Sequence, residues 1–320
     1  MQVNKMTEII RRKEIEKSVQ DIDLVAAMEE AFIQYSKGNT VVPPIGELLF
    51  EEPKGDVHIK YGYIKNDDHY VIKIASGFYD NTKLGISSSQ GLMLVFNQRT
   101  GVPVAVLLDE GYLTDIRTAA AGALAAKYFA PKNITAIGII GTGIQAKLQL
   151  QHLQQHTPCK KIWVWGRSKE NTQLLVKQLP RDFDITIAQT PSELAQNCNL
   201  IVTTTPSQIA LLQAEDVQKG THITAVGSDT SHKQELDSKL LQKADILIAD
   251  SLEQSKSRGE IYRAMKDNQI SEDVVVEFGT ALQNKMLQRT NENQISIVDL
   301  TGVAVQDILI AKAVYLNLKK

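Results

Sequence analysis

Apolar residues fall into two rhythms along this chain, and the change comes near residue 131. In the first part Leu24, Val25, Met28, Phe32 and Tyr35 recur at helical spacing. Asp21 is placed to cap that helix and Gly38-Asn39 to stop it. Strand-like runs follow at Val57 to Ile64, Tyr70 to Ala75, Gly91 to Phe96 and Val102 to Leu108, the last two flanking a hairpin loop from Asn97 to Gly101. Thr114-Asp115 reads as a helix start before the alanine-rich run Thr118 to Ala130, which Pro131 ends.

Beyond Asn133, apolar strand runs recur at Ile134 to Ile140, Lys161 to Trp165, Ile185 to Ala188, Leu200 to Thr205, His222 to Val226 and Ala244 to Ala249. Most are separated by stretches long enough for crossovers. Strand alternating with helix predicts a parallel sheet covered on both faces. The last segment opens as a strand near Ile295 and ends as a helix over Val303 to Leu316, which is expected to return to the N-terminal domain.

The first crossover carries the most specific chemistry. Gly141, Gly143 and Ala146 stand at the spacing G-x-G-x-x-A, after an apolar strand and at the head of a helix. The first glycine permits the tight turn and the second a close approach of backbone to a pyrophosphate; the alanine permits close packing of helix on strand. The pyrophosphate then rests on the helix N-terminus. A tight turn without ligand is the bland alternative, and the strand-turn-helix context argues against it. The next strand ends in Gly166-Arg167-Ser168, where an NAD site usually carries a carboxylate for the ribose 2′-hydroxyl. Without that carboxylate, and with Arg167 able to pair with a 2′-phosphate, NADP is expected ahead of NAD. The residues expected to line the dinucleotide are Thr118, Gly141, Thr142, Gly143, Ile144, Gln145, Gly166, Arg167, Ser168, Thr204, Thr205 and Val226.

Composition removes alternatives more than it adds any. With 35 basic and 37 acidic side chains and no charge run, a nucleic-acid partner has no electrostatic footprint. The charged first residues exclude a signal peptide, no apolar run reaches a membrane span, and a cytoplasmic location is expected. Cys159 and Cys198 read as two buried thiols. His152 and His156 have a chelating spacing on one helix, but no third ligand is apparent and no metal is expected. Ser87-Ser88-Ser89 reads as a polar loop rather than a nucleophile.

Several segments, in this order, resemble the ornithine cyclodeaminase and μ-crystallin family: YVIKIASGFYDN, TGVPVAVLLDEGYLTDIRTAAAGALAAKYFA, IGIIGTGIQA, ITAVGSDTSHKQEL and TGVAVQDILIAK. The resemblance spans nearly the whole chain. It implies an α/β fold in which a Rossmann-type doubly wound parallel sheet, residues 131–295, is inserted into a second α+β domain. That second domain, residues 1–130 and 296–320, would bind substrate and form a homodimer. Family members act at the α-carbon of small amino or imino acids.

Under this resemblance Arg117 matches the arginine that holds the substrate carboxylate. The residue alone could equally form a structural salt bridge. Lys73 sits in the apolar strand 70–75; it could point outward, whereas the resemblance turns it into the pocket as carboxylate ligand or proton carrier. Asp229 follows a strand end and matches the family aspartate that attends the substrate nitrogen; a helix-cap role is the alternative. Cyclodeaminases carry a glutamate where ungapped counting back from Lys73 finds Lys60, and a lysine there would repel the distal ammonium of ornithine. Glu47, Glu51 or Glu52 could replace it. Asp307 matches a family motif, but a helix-start role explains it equally well.

The expected function is an NAD(P)-dependent oxidoreductase of a small amino or imino acid, with Lys73 and Asp229 catalytic and Arg117, Lys73 and Lys60 binding substrate. Reduction of ketimines such as pyrroline-2-carboxylate is the preferred direction. The alternatives are an ornithine cyclodeaminase and a μ-crystallin-like binding protein with incidental catalysis.

Overall fold

In the computed structural model, which describes residues 6–320, the chain passes from one compact unit to the other inside a helix. Residues up to Arg117 join Val303–Lys320 in the first unit, and Thr118–Gly302 form the second. The sequence placed these boundaries at 130/131 and 295/296. Two elements move them. The helix Tyr112–Phe129 continues unbroken past Arg117, and the strand at 296–299 pairs within the second sheet before the chain leaves it.

The first unit opens with β1 (Glu8–Arg11), α1 (Arg12–Val19) and α2 (Leu24–Ser36). Asp23, not Asp21, caps α2, its carboxylate accepting from the Ala26 amide at 2.9 Å. Then come β2 (Thr40–Val41), β3 (Gly46–Phe50), β4 (Gly55–Ile64), β5 (His69–Phe78), β6 (Ser89–Asn97) and β7 (Pro103–Leu108). They form one sheet in the order β1-β7-β6-β5-β4-β2, with β3 also on β4; only β1 is parallel to its neighbour. Helix α3 (Tyr112–Phe129) follows as a single element. It starts ahead of the expected Thr114, because the buried Asp109 accepts the Leu113 amide at 2.8 Å.

Alternation makes the sheet two-faced. Val71, Lys73, Met93, Val95, Ala105 and Leu107 point to one side and are buried. The last helix of the chain, α10 (Ala304–Asn317), packs on β4 and β5 and against α2. The opposite face carries Ile59, Ile72, Ile74, Leu92, Leu94 and Val106, all only half-buried.

The second unit holds eight strands, every neighbouring pair parallel: β8 (Ile137–Ile140), β9 (Lys161–Trp165), β10 (Asp184–Ile187), β11 (Leu200–Thr203), β12 (His222–Ala225), β13 (Ile246–Ala249), β14 (Val276–Glu277) and β15 (Ser296–Asp299). Helices α4 (Ile144–Leu153), α5 (Lys169–Gln178), α6 (Pro191–Asn197), α7 (Ser238–Lys243), α8 (Gly259–Lys266) and α9 (Phe278–Gln283) intervene. Spatial order is β10-β9-β8-β11-β12-β15-β13-β14, a doubly wound α/β sheet. Every residue of β8, β11, β12, β13 and β15 is buried, as strands covered on both faces must be. The chain leaves β8 toward β9 on one side and later returns to β11 on the other, so the order reverses between β8 and β11. That reversal opens a crevice at their carboxyl ends.

Candidate active site

The crevice of the second unit is built by two loops. After β8, Gly141 adopts φ +127°, and a Cβ there would lie 2.3 Å from the Thr204 hydroxyl. Only glycine fits this turn. Thr204, just past β11, closes the contact from its side by donating its amide (2.8 Å) and hydroxyl (3.1 Å) to the Ile140 carbonyl. Gly143 is the N-cap of α4, makes no side-chain cap, and a Cβ on it would meet nothing within 4 Å. The first amides of α4 therefore face open space across a residue with no side chain, the arrangement that accepts a phosphate.

A cavity of about 280 Å³ lies over these amides. Gly141, Thr142, Gly143, Gly166, Arg167, Ser168, Thr204 and Thr205 line it, and so do Trp165, Asn171, Pro206, Ser207 and Leu211, which sequence reasoning did not single out. A second cavity of about 410 Å³ shares Trp165, Gly166 and Arg167 with the first and adds Lys169. Thr118, Ile144, Gln145 and Val226 are not among the lining residues. Ile144 and Gln145 are the first two residues of α4, and Ile144 is exposed. Thr118 instead offers its carbonyl to the Gln149 side chain at 3.2 Å, and Val226 packs beside the apolar core under β8 and β11.

Glu235 holds this rim together; it lies in the segment ITAVGSDTSHKQEL, but no local pattern assigns it a role. It is fully buried, and one oxygen accepts the Thr205 amide (2.5 Å) and hydroxyl (2.8 Å). The other accepts the Thr203 hydroxyl and the Gly227 amide, both at 2.8 Å. One carboxylate thus fixes the loop after β11 to the loop after β12. Burial pushes its pKa up to about 7 against the pull of these donors. Asp229, two residues beyond Gly227, pairs with Lys233 at 2.6 Å and remains partly exposed.

The first unit carries a different cluster. Lys73 on β5 is 2% exposed, and its ammonium lies 2.8 Å from Asp307 in the first turn of α10. The other oxygen of Asp307 receives the Arg117 Nε at 3.1 Å. Arg117 Nη1 donates to Gln306 at 3.2 Å, while Nη2 has no hydrogen-bond partner among the described residues. Lys60 on β4 stands opposite Lys73 in the strand register and acts on the same carboxylate. Burial raises the pKa of Asp307, yet Lys73, Arg117 and Lys60 together hold it below its ordinary value. Burial lowers that of Lys73; Asp307 opposes this and Arg117 adds to it. Three cations thus surround one buried carboxylate, and a guanidinium nitrogen is left over for a further anion.

Cys198 is buried and Cys159 only half-buried; both are free thiols, so the expectation of two buried thiols holds for one of them. No helix among the described residues is long and apolar enough to cross a membrane.

Comparison with known proteins gives this arrangement its family. The model of the Ornithine cyclodeaminase/mu-crystallin family matches residues 4–320, and the chain belongs to that family. It is 39% identical to an uncharacterized cyclodeaminase of Sinorhizobium fredii over 91% of this chain and 89% of that one. Among solved structures, an archaeal alanine dehydrogenase dimer with bound NAD superposes with a TM-score of 0.88 at 34% identity, covering 98% of this chain and 96% of the other. The Δ1-pyrroline-2-carboxylate reductase of Thermococcus litoralis, in complex with NADH and L-proline, superposes with a TM-score of 0.90 at 25% identity over 98% of both chains.

The glycine turn yields a direct prediction. Gly141→Ala places a methyl group against Thr204 in a left-handed backbone conformation, so NADH and NADPH affinity should fall by roughly tenfold or more. Fluorescence titration of the reduced dinucleotides measures it, and unchanged affinity would remove the turn from the binding site.

Proposed function

We propose that the protein is an NAD(P)-dependent oxidoreductase that works at the α-carbon of a small amino or imino acid, with reduction of a ketimine such as pyrroline-2-carboxylate as the preferred direction. The observation that carries this reading is the buried cluster Lys73–Asp307–Arg117, with the unpartnered Nη2 of Arg117 among the described residues. Relatives that act on alanine and on pyrroline-2-carboxylate share the whole chain length.

The dinucleotide fits the second unit: the open backbone at Gly143, the uncapped amides of α4 and the adjoining cavities make a phosphate cradle with room beyond it. When bound, the nicotinamide supplies the hydride. The residues of this chain do the rest. Arg117 and Lys73 bind the substrate carboxylate, with Lys60 adding positive charge. Hydride addition to the α-carbon turns the C=N π pair into a lone pair on nitrogen; a protonated iminium gives the amine directly, and a neutral imine also takes up one proton. Asp229 attends that nitrogen and its proton.

Lys60 favours reduction over cyclodeamination, because an ammonium opposite Lys73 repels the distal ammonium of ornithine. A panel of pyrroline-2-carboxylate, pyruvate with ammonia, and ornithine, each with NADH and NADPH, tests the assignment. Net dinucleotide oxidation with an imino acid is the expected result; proline and ammonia from ornithine without net redox would overturn it. Arg117→Ala should lower kcat/KM by about a hundredfold or more while dinucleotide affinity stays close to wild type. Equal loss of both would sink the role assigned to Arg117.

Cofactor choice rests on Arg167. It lines both cavities beside the turn, where a 2′-phosphate would find a guanidinium and no carboxylate at positions 166–168. NADPH is therefore the preferred donor, and Arg167→Ala should weaken NADPH by roughly tenfold while leaving NADH nearly unchanged. Parallel titrations that show the two falling together would refute this preference.

A homodimer is part of this reading, and the half-buried face of the first sheet supports it. Ile59, Ile72, Ile74, Leu92 and Leu94 form a continuous apolar surface there, extended by the stacked Tyr70 and Phe96 rings at 4.7 Å. A second copy of the chain covers it in this reading, and the archaeal relative is described as a dimer. Ile72→Glu should give a monomer by light scattering; a dimer of unchanged stability would exclude this face.

A further inference from the structure

Asp307 is ordinarily explained as an acidic residue at a helix start, where it complements the dipole. That explanation accounts for neither its burial nor its partners. The side chain is 1% exposed and spends one oxygen on Lys73 and the other on Arg117. The two cations come from β5 and α3, far apart in sequence, and meet only on this carboxylate. Gln306 beside it accepts from Arg117 and also from the Val303 amide at 3.0 Å, so the first turn of α10 is locked while it grips the arginine.

Resting on the function proposed above, we propose that Asp307 is a positioning residue: its carboxylate sets the spacing of Lys73 and Arg117 and supplies the charge that keeps Lys73 an ammonium ready for the substrate carboxylate. The strand register makes such a counter-charge necessary. Lys60 and Lys73 are direct cross-strand partners, and like charges so placed repel. The groups that act on Lys73 from the elements around it are Asp109 at the end of β7, Arg117 on α3 and Asp307 on α10, with Lys60 standing opposite it on β4; its partner on β6, Met93, is neutral. His58, two residues before Lys60 on β4, lies 3.7 Å from Glu47. Asp109 contributes less than Asp307: it is committed to the Leu113 amide, and burial raises its own pKa. Burial and Arg117 both drive Lys73 toward the neutral amine, and Asp307 is the larger of the two attractions opposing them.

The test measures binding of pyrrole-2-carboxylate, a planar carboxylate of the size of a cyclic imino acid, to the dinucleotide-saturated enzyme by calorimetry from pH 6 to 10. Affinity should fall at high pH as Lys73 loses its proton, and Lys73→Met should abolish that alkaline limb. In Asp307→Asn the limb should move to lower pH by about 1–3 units. Asp307→Glu keeps the charge but displaces it, so its limb should stay near that of wild type while affinity drops roughly ten- to a hundredfold. An unmoved limb in Asp307→Asn, or wild-type affinity in Asp307→Glu, would overturn the role of Asp307 while leaving the oxidoreductase reading intact. If Asp307→Asn fails to fold, Asp307→Glu decides alone: wild-type affinity refutes the spacing role, and reduced affinity with an unmoved limb supports it. A wild-type enzyme that neither binds the analogue nor turns over any imino acid would overturn both.

Discussion

A single carboxylate, buried beneath a sheet and surrounded by Lys73, Arg117 and Lys60, determines how the first unit can be assembled. Charges taken out of water are tolerated only when paired, and leaving one unpaired costs about 3–5 kcal/mol. Asp307 meets that demand for residues on β5 and α3 at once, so the C-terminal helix must pack where it does. The same arrangement suits anion capture. Positive charge exceeds negative in the immediate cluster, and an incoming carboxylate brings it closer to balance rather than adding an unmatched charge.

The second unit solves a related problem with the opposite sign. Its crevice needs backbone donors facing outward, and loops that present donors have few contacts of their own. Glu235 supplies the missing restraint, taking donors from two loops onto one buried carboxylate. Its own backbone is fixed in turn, because its amide donates to Glu260 at 2.7 Å. Glu260 is itself buried, and burial with the neighbouring Asp299 raises its pKa well above the usual carboxylate range. Rigid loops of this kind bind a ligand without an ordering cost at the moment of binding.

Much of this was legible in the amino-acid order, for identifiable reasons. The central strands β8, β11, β12 and β13 are buried on both faces, so their apolar runs are continuous and hard to miss. Gly141 and Gly143 were legible because a strand precedes them and a helix follows. By contrast β1, β3 and β14 are short, lie at sheet edges or carry exposed residues, and so lack a clear period. The place of β15 between β12 and β13 is a property of topology, which local pattern does not encode. Lys73 could be singled out because a lysine in an apolar strand is locally inconsistent. Asp307 and Glu235 could not be given their roles, since an acid near a helix start or in a polar loop is locally unremarkable. Only the folded contacts distinguish them.

The position of α10 has a consequence for how the protein comes into being on the ribosome. Residues 118–302 are contiguous, whereas the sheet of the first unit, although synthesised earlier, lacks α10 until the stretch after Gly302 is made. Throughout that interval Lys73 and Arg117 have no Asp307, and β4, β5 and α2 lack the helix that packs on them. The nascent chain thus holds every strand of both sheets before it holds the carboxylate that pairs Lys73 with Arg117, and the first unit is completed last.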